Sequence, residues 1–224
     1  AKIANDCLTS AGRTFLENLY PRDFRKFAEG KTVVWGKGLN ALDAAMEAGR
    51  PIQFISGHFG NHEAFRNALY DRDLTIGGLY KPMSNPFFNV FYEKTLDMDG
   101  KAGSKFPIGR EGITAYRKAL SAGEALVLLL DVAVKEGEVF DFMGQPARTS
   151  TAASAFALKA DALYIPYFSM RTVEGFSVEI AEAIPHSDPL TMTKTASKVL
   201  EDRIHQSPEN WFWLHRRWKY GAKG

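Results

Sequence analysis

The hydrophobic and polar residues of this chain follow two periods, one typical of helices and one typical of short strands. An amphipathic helix is predicted at residues 5–19, where Leu8, Phe15 and Leu19 fall on one face. It ends before Pro21, which disfavours helical backbone at the preceding residue. Further helices are predicted at residues 39–48, 61–70, 85–95, 111–121, 151–159 and 191–206.

Strands are predicted at residues 51–56, 74–80, 125–130, 163–170 and 176–180. The run at 125–130 is apolar on both faces, which predicts the central strand of a sheet. Strands that alternate with helices predict an α/β fold, a single layered domain with a mixed, mostly parallel β-sheet flanked by helices. No repeat or linker divides the chain, so we expect one domain over residues 1–224.

Composition excludes several classes of protein. The chain is 45% hydrophobic and has no low-complexity tract, so it is globular rather than disordered. The 28 basic and 26 acidic residues leave a net charge of +2, and no nucleic-acid partner is expected. The longest apolar run, 125–130, is far shorter than the roughly 18 residues that span a bilayer.

The most informative segment is GHFGNHE at residues 57–63. His58 lies at a predicted turn from strand to helix, and a helix that begins at Asn61 can direct Glu63 back toward it. Glu63 would then accept a hydrogen bond from one imidazole nitrogen and leave the other nitrogen basic. This is a base with its orienting carboxylate, for which a substrate hydroxyl would be the nucleophile. From spacing alone, a hydrogen-bonded histidine and a solvated glutamate remain an alternative.

A metal site is the other interpretation of this segment, because His58 and His62 are four residues apart. That spacing suits zinc when both histidines lie on one helix, whereas the glycines here place His58 in a turn. No third ligand stands out, so we assign no metal ligand and no cofactor. Cys7 cannot form an internal disulfide and is expected to be a packed thiol.

Other motifs follow this segment in order along the chain. They are Tyr80-Lys81-Pro82 with Asn85-Pro86, Gly109-Arg110-Glu111-Gly112-Ile113, the strand ending in Asp131, Phe142-Met143-Gly144, Ile165-Pro166, and PENWFWLHRRWK at residues 208–219. The ordered set resembles the bacterial lipid A late acyltransferases, the lauroyl and myristoyl transferases, within the wider lysophospholipid and glycerolipid acyltransferase superfamily. The resemblance spans nearly the whole chain and implies a glycerolipid acyltransferase-like fold.

The resemblance also implies a reaction. Family members move a fatty acyl chain from a thioester, typically on acyl carrier protein, to a hydroxyl of a membrane glycolipid without an acyl-enzyme. His58 would be the general base, and Glu63 would stabilise its imidazolium. Charge on the thioester oxygen would be stabilised by amides at the Asn61 helix start or by Lys81. Asp131 is placed with the substrate-binding residues.

Cationic residues complete the expected site. Arg110 would bind a phosphate of the carrier's pantetheine arm or of the glycolipid, although it also suits a charge beside a helix start. Arg216 and Arg217 lie among tryptophans and would contact anionic lipid phosphates. The alternative is that these tryptophans are core and the arginines are paired inside the fold. Residues 1–40, with seven cationic and four acidic residues, weakly favour an anionic surface.

The expected location is the cytoplasmic face of the bacterial inner membrane, with peripheral attachment or an anchor outside this chain, which begins at Ala1. His62 stands where the family usually has tryptophan, and Lys94 is the nearest cation where a later arginine is common. Both departures concern the acceptor. Two alternatives therefore stay open: an acyltransferase that uses acyl-CoA and another glycolipid or aminolipid acceptor, and a non-catalytic lipid-binding module.

Overall fold

The computed structural model describes residues 2–97 and 101–221. The helices in these ranges are α1 (Lys2–Leu19), α2 (Pro21–Ala28), α3 (Leu39–Glu47), α4 (His62–Tyr70), α5 (Pro86–Leu96), α6 (Arg110–Ser121), α7 (Ala152–Ala160) and α8 (Pro189–Gln206). The strands are β1 (Thr32–Trp35), β2 (Ile52–Ser56), β3 (Ile76–Tyr80), β4 (Lys105–Pro107), β5 (Ala125–Leu129), β6 (Glu138–Phe142), β7 (Gln145–Thr149), β8 (Leu163–Arg171) and β9 (Phe176–Ile180).

Seven of these strands form one sheet, in the order β1-β9-β8-β2-β5-β3-β4. Every neighbouring pair is parallel except β8 and β9, which are antiparallel. Strands β6 and β7 form a separate antiparallel hairpin. The prediction of an α/β fold with a mixed, mostly parallel sheet is confirmed. Neighbouring parallel strands need crossover connections, and the helices provide them.

The core lies on both faces of the sheet. Successive side chains of a strand point to opposite faces, so Phe54 of β2 packs in one cluster with Phe65 and Ile165, whereas Ile55 packs in the other. All five residues of β2 are buried, and β2 holds the middle of the sheet. The prediction that residues 125–130 form the central strand was wrong by one place in the strand order, since β2 is the central strand and β5 is its interior neighbour.

Several short elements were not predicted from the sequence. They are α2, β1, β4 and the β6–β7 hairpin. The hairpin turns at Met143 and Gly144, whose φ angles are 55° and 74°. Such a turn needs left-handed backbone at both central residues, and Met-Gly is not among the pairs typical of it, such as Asn-Gly. The turn residues therefore did not predict this hairpin.

Helix α1 lies on the surface of the domain and makes polar contacts with it. None of its residues is buried, and Leu8, Phe15 and Leu16 are exposed apolar side chains. Glu17 accepts hydrogen bonds from Arg171 and from Asn61. Within the described ranges, the helices lack the combination of length and apolar character that a membrane crossing requires.

We predict that Gly60→Ala destabilises the fold far more than Gly30→Ala. Both glycines have a positive φ, 62° and 67°, but a Cβ at residue 60 would lie 1.5 Å from the Ser169 carbonyl oxygen, whereas one at residue 30 meets nothing within 4 Å. The backbone strain alone is of order 1–3 kcal/mol and is common to both variants. Chemical denaturation should therefore give Gly60→Ala a clearly larger loss of unfolding free energy. Equal losses would contradict the close approach of the two segments.

Candidate active site

The register of two parallel strands brings His58 and Asp131 together. Ile52 of β2 pairs with Ala125 of β5, and the pairing continues in step to Ser56 with Leu129. His58 lies two residues after the end of β2, and Asp131 lies two residues after the end of β5, at the same edge of the sheet. In an open α/β sheet, binding sites usually lie at the carboxyl ends of neighbouring parallel strands.

Asp131 is a buried carboxylate that accepts three hydrogen bonds. Its side chain is 0% exposed, whereas that of His58 is 39% exposed. The His58 Nδ1 lies 2.9 Å from Oδ1, and the His58 backbone N–H donates to Oδ2 at 2.8 Å. The Trp211 Nε1–H also donates to Oδ2, at 2.8 Å. Both carboxylate oxygens are thus occupied by donors from the protein.

These contacts set the charges of the pair. Burial alone raises the pKa of Asp131, but the hydrogen bonds from His58 and Trp211 together with the His58 charge outweigh it and lower that pKa to about 2. Burial lowers the pKa of His58, yet the hydrogen bond to Asp131 and its charge raise it more, so the net shift is upward. Asp131 is therefore ionised at neutral pH, His58 carries its proton on Nδ1, and the outward Nε2 is basic.

The C-terminal segment, residues 208–221, holds the His58 turn in place. Phe59 and Trp211 form an isolated antiparallel bridge. The Gly60 N–H donates to the Asn210 carbonyl at 2.7 Å, and the Phe212 N–H donates to the His58 carbonyl at 2.9 Å. The turn is thus fixed by backbone hydrogen bonds as well as by Asp131, which keeps the imidazole in one orientation.

Glu63 does not make the hydrogen bond expected of it. The carboxylate at His58 Nδ1 is Asp131, and Glu63 Oε1 accepts instead from Arg66 at 2.8 Å within α4. Arg66 in turn donates to the Leu96 carbonyl at 3.0 Å, which ties α4 to the end of α5. The Glu63 Oε2 is buried without a hydrogen-bond partner. The position of Glu63 on α4 places its carboxylate beside Arg66. The register of β2 and β5 places Asp131 beside His58.

Asn61 is the N-cap of α4 rather than a free polar group. Its Oδ1 accepts from the backbone N–H groups of Glu63 and Ala64, at 2.7 and 3.4 Å, and its side chain is buried. Those two amides are occupied by the cap. They are therefore unavailable for the thioester oxygen, contrary to the expectation from sequence.

Lys81 and Arg110 are both exposed at the same edge of the sheet as His58. Lys81 follows β3, which lies two strands from β2, and Arg110 follows β4, which lies three strands away. At about 4.8 Å between strands, this places the two cations roughly 10 and 14 Å to one side of the histidine. Both cations suit an outer part of a binding surface, and their role at phosphates stays a prediction. The distance of Lys81 from His58 gives no support to its expected role at the reacting carbonyl.

Arg216 and Arg217 lie in opposite environments. Arg216 is exposed, while Arg217 is 1% exposed and stacks on Phe142. Arg217 Nη1 donates to the Arg148 carbonyl at 2.8 Å, and Nη2 donates to the Thr149 hydroxyl. The expectation of a lipid phosphate contact is therefore wrong for Arg217, which fastens the C-terminal segment to the β6–β7 hairpin.

Two further histidines lie beside His58. Sequence reasoning named His62 as a rejected metal ligand and as a departure from the family pattern, and it gave His215 no role. His62 Nδ1 lies 2.9 Å from the Tyr167 hydroxyl, and burial together with the His58 charge lowers the pKa of His62 to about 4. His215 stacks beside the His58 ring, with centroids 6.0 Å apart. Within residues 2–97 and 101–221, no three His, Cys, Asp or Glu side chains gather as a metal site would require. The clue to His215 was its presence in the WFWLHRRWK ending.

A buried carboxylate that orients a partly exposed imidazole defines a base for a substrate hydroxyl. The chain matches the family of bacterial lipid A biosynthesis acyltransferases over residues 1–220 and belongs to it. It is similar to the lipid A biosynthesis lauroyltransferase of Escherichia coli (strain K12), with 29% identity over 156 residues. That alignment covers 66% of this chain and 49% of the relative, so the chain spans about half the length of the curated relative it matches.

We predict that Asp131→Asn lowers the pKa of His58, whereas Glu63→Gln leaves it close to the wild-type value. The upward shift comes from the charge and hydrogen bond of Asp131, and Glu63 has no part in it. The measurement is an NMR titration of the His58 ring in the wild type and in both variants. An unchanged His58 pKa in Asp131→Asn, or a fall confined to Glu63→Gln, would contradict the assignment.

Proposed function

We propose that this protein transfers a fatty acyl chain from an acyl carrier protein thioester to a hydroxyl of a lipid A precursor. The observation that carries the proposal is the Asp131–His58 pair, in which Asp131 binds Nδ1, Nε2 is basic and the His58 side chain is 39% exposed. Family membership supports acyl transfer in lipid A biosynthesis as the setting. The similarity to a lauroyltransferase favours a medium-length acyl chain as the first donor to test.

The proton path follows from the tautomer. The acceptor hydroxyl donates to His58 Nε2, and its oxygen attacks the thioester carbon as the proton moves to the imidazole. Ionised Asp131 stabilises the imidazolium, because the Nδ1–H already points at its carboxylate at 2.9 Å. The imidazolium then returns the proton to the leaving thiolate, which restores the neutral base.

Direct transfer without an acyl-enzyme fits the one thiol of the chain. Cys7 lies in α1, where its Sγ contacts the Pro208 carbonyl at 3.7 Å. Burial and the nearby carboxylates of Glu209 and Asp6 raise the pKa of this thiol. A raised pKa disfavours the thiolate, which is the nucleophilic form.

We expect His58→Ala to lower kcat for acyl transfer by about 10²–10⁴-fold while the protein stays folded. His205→Ala, at an exposed position of α8, is the matched control and should retain wild-type activity. The assay is mass spectrometry of lipid A precursor in membranes incubated with purified protein and either lauroyl acyl carrier protein or lauroyl-CoA. Near-normal turnover by His58→Ala would disprove the mechanism, and a wild type that transfers to no lipid would leave only a lipid-binding module.

We further propose that the protein works at the cytoplasmic face of the inner membrane, where an acyl carrier protein donor and a lipid acceptor meet. Phe212, which binds the His58 carbonyl, and the next two residues, Trp213 and Leu214, are all exposed. Exposed Arg216 and Lys219 lie close along the same segment. Aromatic and apolar side chains beside cations suit the headgroup region of an anionic bilayer.

Leu214→Glu should weaken binding to anionic vesicles, because a carboxylate replaces an apolar side chain that would enter the interface. Val33→Glu on the edge strand β1 is the matched control, since Val33 and Leu214 are both 64% exposed. Co-sedimentation with phosphatidylglycerol vesicles across a salt series measures both. Equal binding by the two variants and the wild type would remove this segment from the membrane contact.

A further inference from the structure

His215 has a fixed tautomer in this structure. Its Nε2 lies 3.0 Å from the backbone nitrogen of Ala133. A backbone N–H can only donate, so Nε2 accepts this hydrogen bond and carries no proton. A neutral His215 must therefore hold its proton on Nδ1.

The neutral form is the one that the surroundings favour. Burial lowers the pKa of His215, and the charges of His58 and Arg217 lower it further. The Asp131 charge and backbone carbonyl act in the opposite direction, yet the net shift is downward. The His215 side chain is half-buried, so part of it remains exposed at the site.

The two imidazoles are held by the same short stretch of chain. His58 is bound through Nδ1 to the side chain of Asp131, and His215 is bound through Nε2 to the amide of Ala133. Their planes are inclined by only 25°, with centroids 6.0 Å apart. The two nitrogens of an imidazole point in nearly opposite directions. Nε2 of His58 and Nδ1 of His215 are therefore the nitrogens opposite these two contacts, one a base and the other a donor.

We propose that the Nδ1–H of His215 donates a hydrogen bond to the thioester carbonyl oxygen as negative charge develops on it during acyl transfer. This rests on the proposed function and adds a second catalytic residue to it. The acceptor oxygen forms a bond to the carbonyl carbon and its proton goes to His58. The carbon–sulfur bond then breaks, and the thiolate takes the proton back from His58. His215 keeps its own proton throughout.

The site needs such a donor because other candidates are engaged or distant. The amides of Glu63 and Ala64 are bound to the Asn61 cap. Lys81 follows a strand two positions along the sheet. A neutral donor that is already oriented stabilises developing charge without solvent rearrangement, and loss of one such donor lowers kcat by about 10²–10³-fold.

Three substitutions at His215 separate a donor from a structural support. Asparagine places an amide N–H near the position of Nδ1 but loses the acceptor for Ala133. Glutamine places its amide near Nε2, where its oxygen can accept from Ala133, but it loses the Nδ1 donor. The transfer assay is run on the wild type, His215→Ala, His215→Asn and His215→Gln with lauroyl acyl carrier protein and membranes that contain lipid A precursor, and each protein's thermal unfolding is recorded.

We expect kcat of His215→Ala to fall about 10²–10³-fold with KM for the donor nearly unchanged, and His215→Asn to recover at least about tenfold of that loss. His215→Gln should stay as slow as the alanine variant even if its melting temperature is higher. Recovery by glutamine instead of asparagine, or an alanine variant within about threefold of wild type, overturns the proposal while the proposed function stands. A wild type that transfers no acyl chain overturns both.

Discussion

One buried carboxylate organises this molecule. Asp131 has no exposure to water, and an ionised group in that position is tolerated only when its hydrogen bonds are made by the protein. The three donors come from a turn backbone, an imidazole and an indole, on two segments far apart in the chain. Removal of any one of them leaves part of a buried charge unpaired, which is far less favourable than the loss of an exposed ion pair. The same contacts that stabilise the fold therefore orient the base.

The alternation of strands and helices was readable from the sequence because each element carries its own period. Site geometry was less readable. His58 and the glycines beside it were found, since a histidine between a buried strand and a helix is a local pattern. Glu63 was chosen as its partner by local spacing, whereas the true neighbour, Asp131, is brought close by the pairing of β2 with β5. Periodicity does not reveal which strands are neighbours. A carboxylate directly after a buried parallel strand was the available signal.

The C-terminal segment shows a second limit of sequence reasoning. Its tryptophans and arginines indicated either a core or a membrane contact, and the structure divides them between buried and exposed positions. Trp211 and Arg217 are buried, while Trp213 and Arg216 are exposed. The two tryptophans are the same residue type, as are the two arginines, so residue type alone does not distinguish them. Packing against Phe142 and the β6–β7 hairpin distinguishes the buried member of each pair. Because that hairpin was itself hidden by an unusual turn, the fate of each side chain could not be assigned in advance.

The way in which the C-terminal segment completes the site has a consequence for protein synthesis. Ribosomes release a chain from its amino end, so His58, Glu63 and Asp131 emerge long before Trp211 and His215. Until the segment from Asn210 to His215 arrives, the turn at His58 lacks its two backbone clasps and Asp131 lacks its indole donor. The orientation of the His58 ring is therefore completed only after residues 210–215 have emerged.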